Sequence, residues 1–197
     1  MTSIVAISTE EGVYLGGDLA GSNGHNIGEV SQSKVFGVGE FLVGYCGSFR
    51  AGQIVEHAWR PPARSEGVCD YNYLVLEVIP SLMVILEGNG FGGHDGTEVK
   101  GGNFVLVYGG RVYEVQSDYS ILEWAQPVVC LGSGGDVTES ICTGMLIVNE
   151  RLTKNKKLKG PEIIATALLL TSYKIASVSG IGPVLFQKAL EDLEEEE

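Results

Sequence analysis

The sequence is short of cations: 13 Lys and Arg stand against 25 Asp and Glu in 197 residues, for a formal net charge of −12. Nucleic acids and anionic membranes draw basic surfaces, so this balance argues against both as partners. Part of the acidic excess sits in Glu191, Asp192, Glu194, Glu195, Glu196 and Glu197, which read as a solvated, frayed tail from about residue 191. Metal-ligand spacing is missing as well. Cys46, Cys69, Cys130 and Cys142 contain no C-x-x-C pair, and no His stands at zinc-ligand distance from them. His25, His57 and His94 share no cluster, so neither a metal centre nor a Ser-His-Asp triad is expected, and the chemistry should need no cofactor. Three of the four cysteines lie in apolar runs and fit buried thiols in a reducing compartment. No basic segment followed by an apolar stretch opens the chain, which reads as the lack of a secretory signal. The longest apolar segment, Tyr73 to Leu86, carries Glu77 and Pro80 and is short for a bilayer span. A cytoplasmic protein is the expectation.

What is present is a globular composition, 44% hydrophobic and 19% charged, with a length suited to one domain over residues 1–197. Ser3 to Ser8 and Val13 to Gly17 are β-rich runs that predict a hairpin, and Val35 to Val38 with Phe41 to Cys46 predict a second around Gly39-Glu40. Ile54, Val55, Ala58 and Trp59 share one face of a helix predicted over Ala51 to Trp59, ended by Pro61-Pro62. A second helical stretch is predicted from about Tyr71 to Leu86, with Pro80 as a kink or a fresh start, and the Gly-rich stretch from Gly88 to Gly102 reads as a mobile loop. Asn103 to Tyr108 and Arg111 to Gln116 flank Gly109-Gly110, a two-residue hairpin signal. Strand-like Pro127 to Leu131 runs into Gly132-Ser133-Gly134-Gly135. Asp136 then caps a helix with Val137, Ile141, Met145 and Val148 on one face. Basic Lys154 to Lys159 links to a helix that starts at Gly160-Pro161 and runs to about Ser177, and Pro183 to Phe186 is a last apolar run. This order predicts an α+β architecture of sheets covered by helices.

Hairpin arithmetic places a few polar residues at two open strand ends, and does not by itself bring the two ends together. A first turn centred on Glu10-Glu11 places Thr2 about opposite Asp18, and the second hairpin places Lys34 beside Tyr45 to Gly47. Thr2 is small enough to permit removal of Met1, which would leave a hydroxyl and a free α-amine on one residue. The amine can then act as base for its own hydroxyl. Its ordinary pKa of about 7.7 to 8.0 lies near neutrality, and a lysine ammonium nearby would lower it further. Asp18 would hold Lys34 charged and oriented, and the N–H of Gly47 could face a developing oxyanion. Singly these residues are commonplace: Thr is frequent at position 2, Asp at strand ends, and Lys in solvent. Gly132 to Gly135 before a helix could cradle phosphate, but it lacks the G-K-[ST] ending and is followed by acidic Asp136.

Taken together the residues resemble the proteasome β subunit and its bacterial relative HslV. Thr2-Ser3-Ile4-Val5-Ala6-Ile7, Gly12-Val13, Gly16-Gly17-Asp18, Gly24, Ser33-Lys34-Val35-Phe36 and Gly44-Tyr45-Cys46-Gly47-Ser48 leading to Gln53 fall in the family's order and spacing. Leu131-Gly132-Ser133-Gly134-Gly135 looks like its strand-to-helix turn. The resemblance implies a four-layer αββα sandwich of the N-terminal nucleophile (Ntn) hydrolase type, assembled into homo-oligomeric stacked rings around an enclosed chamber. It implies a threonine endopeptidase acting on unfolded polypeptides, with ATP used only by a partner AAA+ unfoldase. Thr2 would be nucleophile and base, Asp18 and Lys34 the charge pair, and Gly47 the oxyanion donor. Ser133 would help shuttle the proton of the amine, with Ser179 as an auxiliary residue. Ser22 stands where the family has a Thr whose backbone pairs with an extended substrate.

The chain also departs from that pattern. The family's Asp three residues before Ser179-Gly180 is replaced by Ala176, and its Arg two residues after the first Asp by Ala20. Tyr45 is bulky where the family lines its first specificity pocket, which predicts a shallow pocket favouring small side chains. A non-catalytic ring or assembly subunit, and a small-molecule amidase of the same nucleophile class, are the competing readings.

Overall fold

A computed structural model describes residues 2–95 and 98–188, without the side chains of 93–100; Met1 and the acidic tail expected from about 191 lie outside the described residues. Strands β1 (Ile4–Thr9) and β2 (Gly12–Gly17) form the first hairpin. Short β3 (Ala20–Ser22) and β4 (Ile27–Glu29) come next, and then the second hairpin, β5 (Val35–Val38) with β6 (Phe41–Cys46). Helix α1 (Phe49–Ala58) precedes a helical run made of α2 (Asp70–Tyr73), a π-helical turn (Leu74–Val78) and α3 (Ile79–Gly88). After the pair β7 (Gly93–Asp95) and β8 (Glu98–Lys100) comes a meander of β9 (Asn103–Tyr108), β10 (Arg111–Val115) and β11 (Ile121–Glu123). β12 (Val128–Leu131), α4 (Gly135–Glu150), α5 (Gly160–Ser172) and β13 (Val184–Lys188) complete the order.

Among the described residues the larger strands make two antiparallel sheets, one ordered β12-β1-β2-β13 and the other β11-β10-β9-β6-β5. Three separate apolar clusters fill the spaces between four layers. Ile4 and Ala6 of β1, Leu15 of β2, and Val105 and Val107 of β9 lie between the two sheets. Val5 and Ile7 face the other way, onto Ile163, Ile164, Ala167 and Leu168 of α5 and Cys142 of α4. On the far side Phe41, Val43, Phe104 and Leu106 meet Ile54 and Val55 of α1 and Leu82 and Leu86 of α3. A strand buried on both faces needs a continuous apolar run, which is why β1 reads Ile-Val-Ala-Ile without alternation. Each such side chain taken from water contributes about 1.5–3 kcal/mol. The result is the αββα sandwich expected from the sequence.

Several local expectations shift. The first hairpin pairs Ile4 with Gly17 and Thr9 with Gly12, one residue away from the expected register, so Ser3 and not Thr2 lies across from Asp18. The second hairpin pairs Val35 with Gly44, as its spacing predicted. α1 begins earlier because Ser48 caps it, its Oγ accepting the Ala51 N–H at 3.3 Å; Ile54, Val55 and Trp59 are buried while Ala58 is exposed. The helical run over Asp70 to Gly88 widens into the π turn ahead of Pro80, where Ile79 N–H reaches back to Leu74 O and the missing proline donor is absorbed. By length and composition that run could cross a membrane. Its inner side, Tyr73, Leu74, Val78, Leu82 and Leu86, is spent on the helix–sheet core. The stretch expected as a loop from Gly88 to Gly102 contains the β7–β8 pairing, reached through positive-φ turns at Gly90 and Gly92. Gly134, not Asp136, is the N-cap of α4; Asp136 sits in the first turn, where its charge complements the helix dipole. The fully buried line of α4 is Gly135, Thr138 and Cys142, where Thr138 turns inward to hydrogen-bond; of the predicted face, Ile141 and Met145 pack against the core and Val148 is exposed. α5 stops at Ser172, and the chain from Tyr173 to Gly180 runs through successive turns that carry it back over the β1–β2 end of the sheet.

Gly44 marks the closest approach of the two sheets: a Cβ there would sit 2.6 Å from Ile4 Cγ2, inside a fully buried β-branched side chain. Gly44→Ala should therefore cost about 1–3 kcal/mol by overpacking. Urea unfolding followed by circular dichroism should show a lower midpoint at unchanged slope.

Candidate active site

The turn after β12 and the ends of β1 and β2 converge on Thr2. Gly134 N–H donates to Thr2 O at 3.1 Å, and Thr2 N–H donates to Ser133 Oγ at 3.3 Å, so one turn holds both ends of the residue. Gly132 adopts φ +95°, and a Cβ there would lie 2.3 Å from the Thr2 carbonyl oxygen; only glycine lets the turn come this close. Beneath it, Ser3 Oγ and Thr138 Oγ1 are 2.6 Å apart, Thr138 Oγ1 donates to Gly134 O at 2.9 Å, and Thr171 Oγ1 lies 2.9 Å from Thr138 Oγ1. These buried hydroxyls fasten β1 to α4 and α5 one residue past Thr2.

Asp18 follows β2 and is fully buried. Its Oδ1 accepts the Ser3 N–H at 2.9 Å and Lys34 Nζ at 2.8 Å, and its Oδ2 accepts the Ala20 N–H at 3.0 Å. Lys34 precedes β5 and is 2% exposed, and its carbonyl accepts the Tyr45 N–H at 3.1 Å. Burial pulls the Lys34 ammonium below the usual lysine range; the Asp18 carboxylate opposes that shift. The register expected to set Thr2 across from Asp18 thus sets the Ser3 amide there. Asp18 still joins the terminal strand to Lys34 through a single oxygen.

The other expected residues are placed less directly. Gly47 sits between β6 and the Ser48 cap with φ +88°, and the direction a side chain would take from it is open space. Its neighbour Cys46 has its thiol pushed up by burial and held back in part by the Lys34 charge, so this corner also lies near Lys34. Ser22 ends β3, and its Oγ accepts the Gly24 N–H at 3.1 Å; it lines a cavity of about 450 Å³ with Asn26, Glu29, Phe49 and Gln53. Tyr45 lines a neighbouring cavity of about 480 Å³ with Gln32, Ser33, Arg50, Gln53 and His57. The Tyr45 ring is 4% exposed and turns onto Gly52, where any Cβ would meet it at 2.4 Å, and onto Phe49 edge to face.

Ser179 is not joined to this group by its side chain: its carbonyl accepts the Leu19 N–H at 2.9 Å, and its hydroxyl is buried without a hydrogen-bond partner among the described residues. Ser177 instead brings its Oγ to 3.1 Å from Ser133 Oγ. The alternation Ser177-Val178-Ser179 offers two hydroxyls two residues apart, but spacing alone does not say which one turns inward. Ser3, Thr138 and Thr171 carry no sequence signal beyond their type. Among the described residues no group of three His, Cys, Asp or Glu could hold a metal, and all four cysteines are free thiols.

These layers and this corner define a fold, that of the proteasome-like Ntn hydrolases. Thiobacillus denitrificans BPH in complex with epoxomicin aligns with a TM-score of 0.74 and 10% identity over 96% of this chain and 100% of that one. Eukaryotic HslV from Trypanosoma brucei aligns with a TM-score of 0.61 and 11% identity over 94% and 99%. The helical assembly of the Anbu complex from Pseudomonas aeruginosa aligns with a TM-score of 0.62 and 17% identity over 94% and 81%. The sequence matches no protein-family model and no curated protein.

The Asp18–Lys34 pair carries a test of its own. Lys34→Met leaves the Asp18 charge buried without its cation and should cost about 3–5 kcal/mol. Adding Asp18→Asn to the same protein should return part of that loss. A double-mutant comparison by urea unfolding checks it; additive losses would mean that the two groups do not interact.

Proposed function

We propose that the chain, once Met1 is removed, is a threonine endopeptidase. The observation that carries this reading is the position of Thr2, with its nitrogen 3.3 Å from Ser133 Oγ and the Ser3 amide next to it bound to the buried Asp18–Lys34 pair. Loss of Met1 turns the Thr2 nitrogen into an amine with a lone pair, which takes the proton of its own Oγ1 as that oxygen attacks the peptide carbonyl. The positive charge of Lys34 favours the neutral amine, and Asp18 keeps the lysine oriented. Gly47 N–H is the donor assigned to the oxyanion, and the amine then passes its proton to the leaving nitrogen. Water repeats the sequence to release the acyl group. The chemistry needs no metal or cofactor.

Unfolded polypeptides are the proposed substrates, laid along the two adjoining cavities that share Gln32 and Gln53, with Ser22 at one side and Tyr45 in the wall of the other. A homo-oligomeric ring or related assembly in the cytoplasm is the proposed setting, with an AAA+ unfoldase as the user of ATP. The Anbu complex of Pseudomonas aeruginosa forms a helical assembly, which supports an oligomer of some kind.

Two observations favour a second reading, a non-catalytic subunit of such an assembly: Thr2 is 4% exposed in the chain as it stands, and Ala176 supplies no carboxylate. Intact mass separates the two, since a retained Met1 blocks the amine. The endopeptidase reading predicts a mass lacking Met1 and one equivalent of epoxomicin, the compound bound by the Thiobacillus protein, added to it. Thr2→Ala should take no label and lose peptide hydrolysis by at least about a thousandfold with an unchanged circular dichroism spectrum. Hydrolysis surviving in Thr2→Ala would reject the mechanism.

A further inference from the structure

The hydroxyl contacts around Thr2 do not stop at Ser133. Ser133 Oγ accepts the Thr2 N–H at 3.3 Å and lies 3.1 Å from Ser177 Oγ, a contact in which either hydroxyl can donate. Ser133 is exposed and Ser177 half-buried beside it, whereas the Ser179 hydroxyl two residues on is sealed from water with no partner among the described residues. The Ser133 hydroxyl meets no carboxylate among the described residues. The turns from Tyr173 to Gly180 hold Ser177 there: Val178 N–H bonds to Ile175 O, Leu19 N–H bonds to Ser179 O, and Val178 is buried against Gly134 of the Thr2-binding turn.

We propose that Ser177 is a positioning residue for proton transfer at Thr2, orienting the Ser133 hydroxyl that faces the Thr2 nitrogen. The inference rests on the endopeptidase reading for its catalytic meaning. A protonated amine would release one N–H proton to Ser133 Oγ, which Ser177 holds in place, as Ser133 gives its original proton to water. The Ser133 hydroxyl gains one proton and loses one, and the neutral amine, whose new lone pair faces Ser133, turns about its Cα–N bond to bring that pair to Oγ1. Because both hydroxyls are uncharged, they take no part in stabilising the ammonium by charge, and Lys34 acts on the amine unopposed from that side.

Two measurements on the Met1-processed protein decide this, one of them independent of activity. Nitrogen NMR titration of the Thr2 amine should show its pKa raised by about one unit in Ser177→Asp, where a carboxylate replaces the hydroxyl, and unchanged in Ser177→Thr. An unmoved amine in Ser177→Asp would overturn the proposal, because Ser177 would then not face the amine through Ser133. In peptide hydrolysis, Ser177→Ala should lower kcat about tenfold at constant KM, with Ser177→Thr restoring it. Wild-type kcat in Ser177→Ala alongside an inactive Thr2→Ala would also overturn it. If the wild-type protein hydrolyses no peptide, the endopeptidase reading falls and the titration still decides whether Ser177 is coupled to the amine.

Discussion

A carboxylate cut off from water has to find its hydrogen bonds within the protein, and Asp18 finds three: the Ser3 and Ala20 amides and the Lys34 ammonium. Each donor comes from a different stretch of chain, so the group fixes the start of β1, the exit of β2 and the approach to β5 relative to one another. Those stretches belong to two sheets, and the pair therefore bridges the layers at the edge of the sandwich where Thr2 lies. Buried ions of this kind add little net stability compared with apolar residues, but they specify geometry, since any other register leaves a charge stranded. Neither ion could be kept in place by water.

The remainder of the sandwich makes that geometry possible by keeping the sheets close. Gly44 opposite Ile4 and Gly132 over the Thr2 carbonyl both leave out a Cβ where another layer or segment comes within contact distance. The hydroxyls of Ser3, Thr138 and Thr171 perform the corresponding work between sheet and helices, replacing a larger apolar contact by short hydrogen bonds. Close approach and polar fastening thus occur at the same end of the molecule, while the opposite faces of β6 and β9 are filled by aromatic rings.

Much of this was legible in the residues because periodicity and turn chemistry are local. The unbroken apolar run of β1, the Gly109-Gly110 turn with both glycines at positive φ, and the pairing of Val35 with Gly44 follow from spacing alone. The register of the first hairpin is also the one that a two-residue turn over Glu10-Glu11 dictates, with Thr9 opposite Gly12 and so Ser3 opposite Asp18; setting Thr2 there miscounts by one residue. Less legible is the buried face of α4, where the polar Thr138 turns inward to hydrogen-bond beside Cys142. Ser177 was hidden for a similar reason: the path of the chain after α5 depends on Leu19 and Gly134, which belong to other segments.

The anchors of Thr2 also bear on how a residue inside the chain could become a working terminus. Its carbonyl is held by Gly134, the following amide by Asp18, and the following hydroxyl by Thr138, and all three contacts lie on the C-terminal side of the Thr2 nitrogen. Cutting the bond before Thr2 removes none of them. The nitrogen itself is already directed at an oxygen acceptor, Ser133 Oγ, and an amine can keep that contact with one hydrogen while gaining a lone pair for another purpose. These three contacts therefore do not depend on what precedes Thr2.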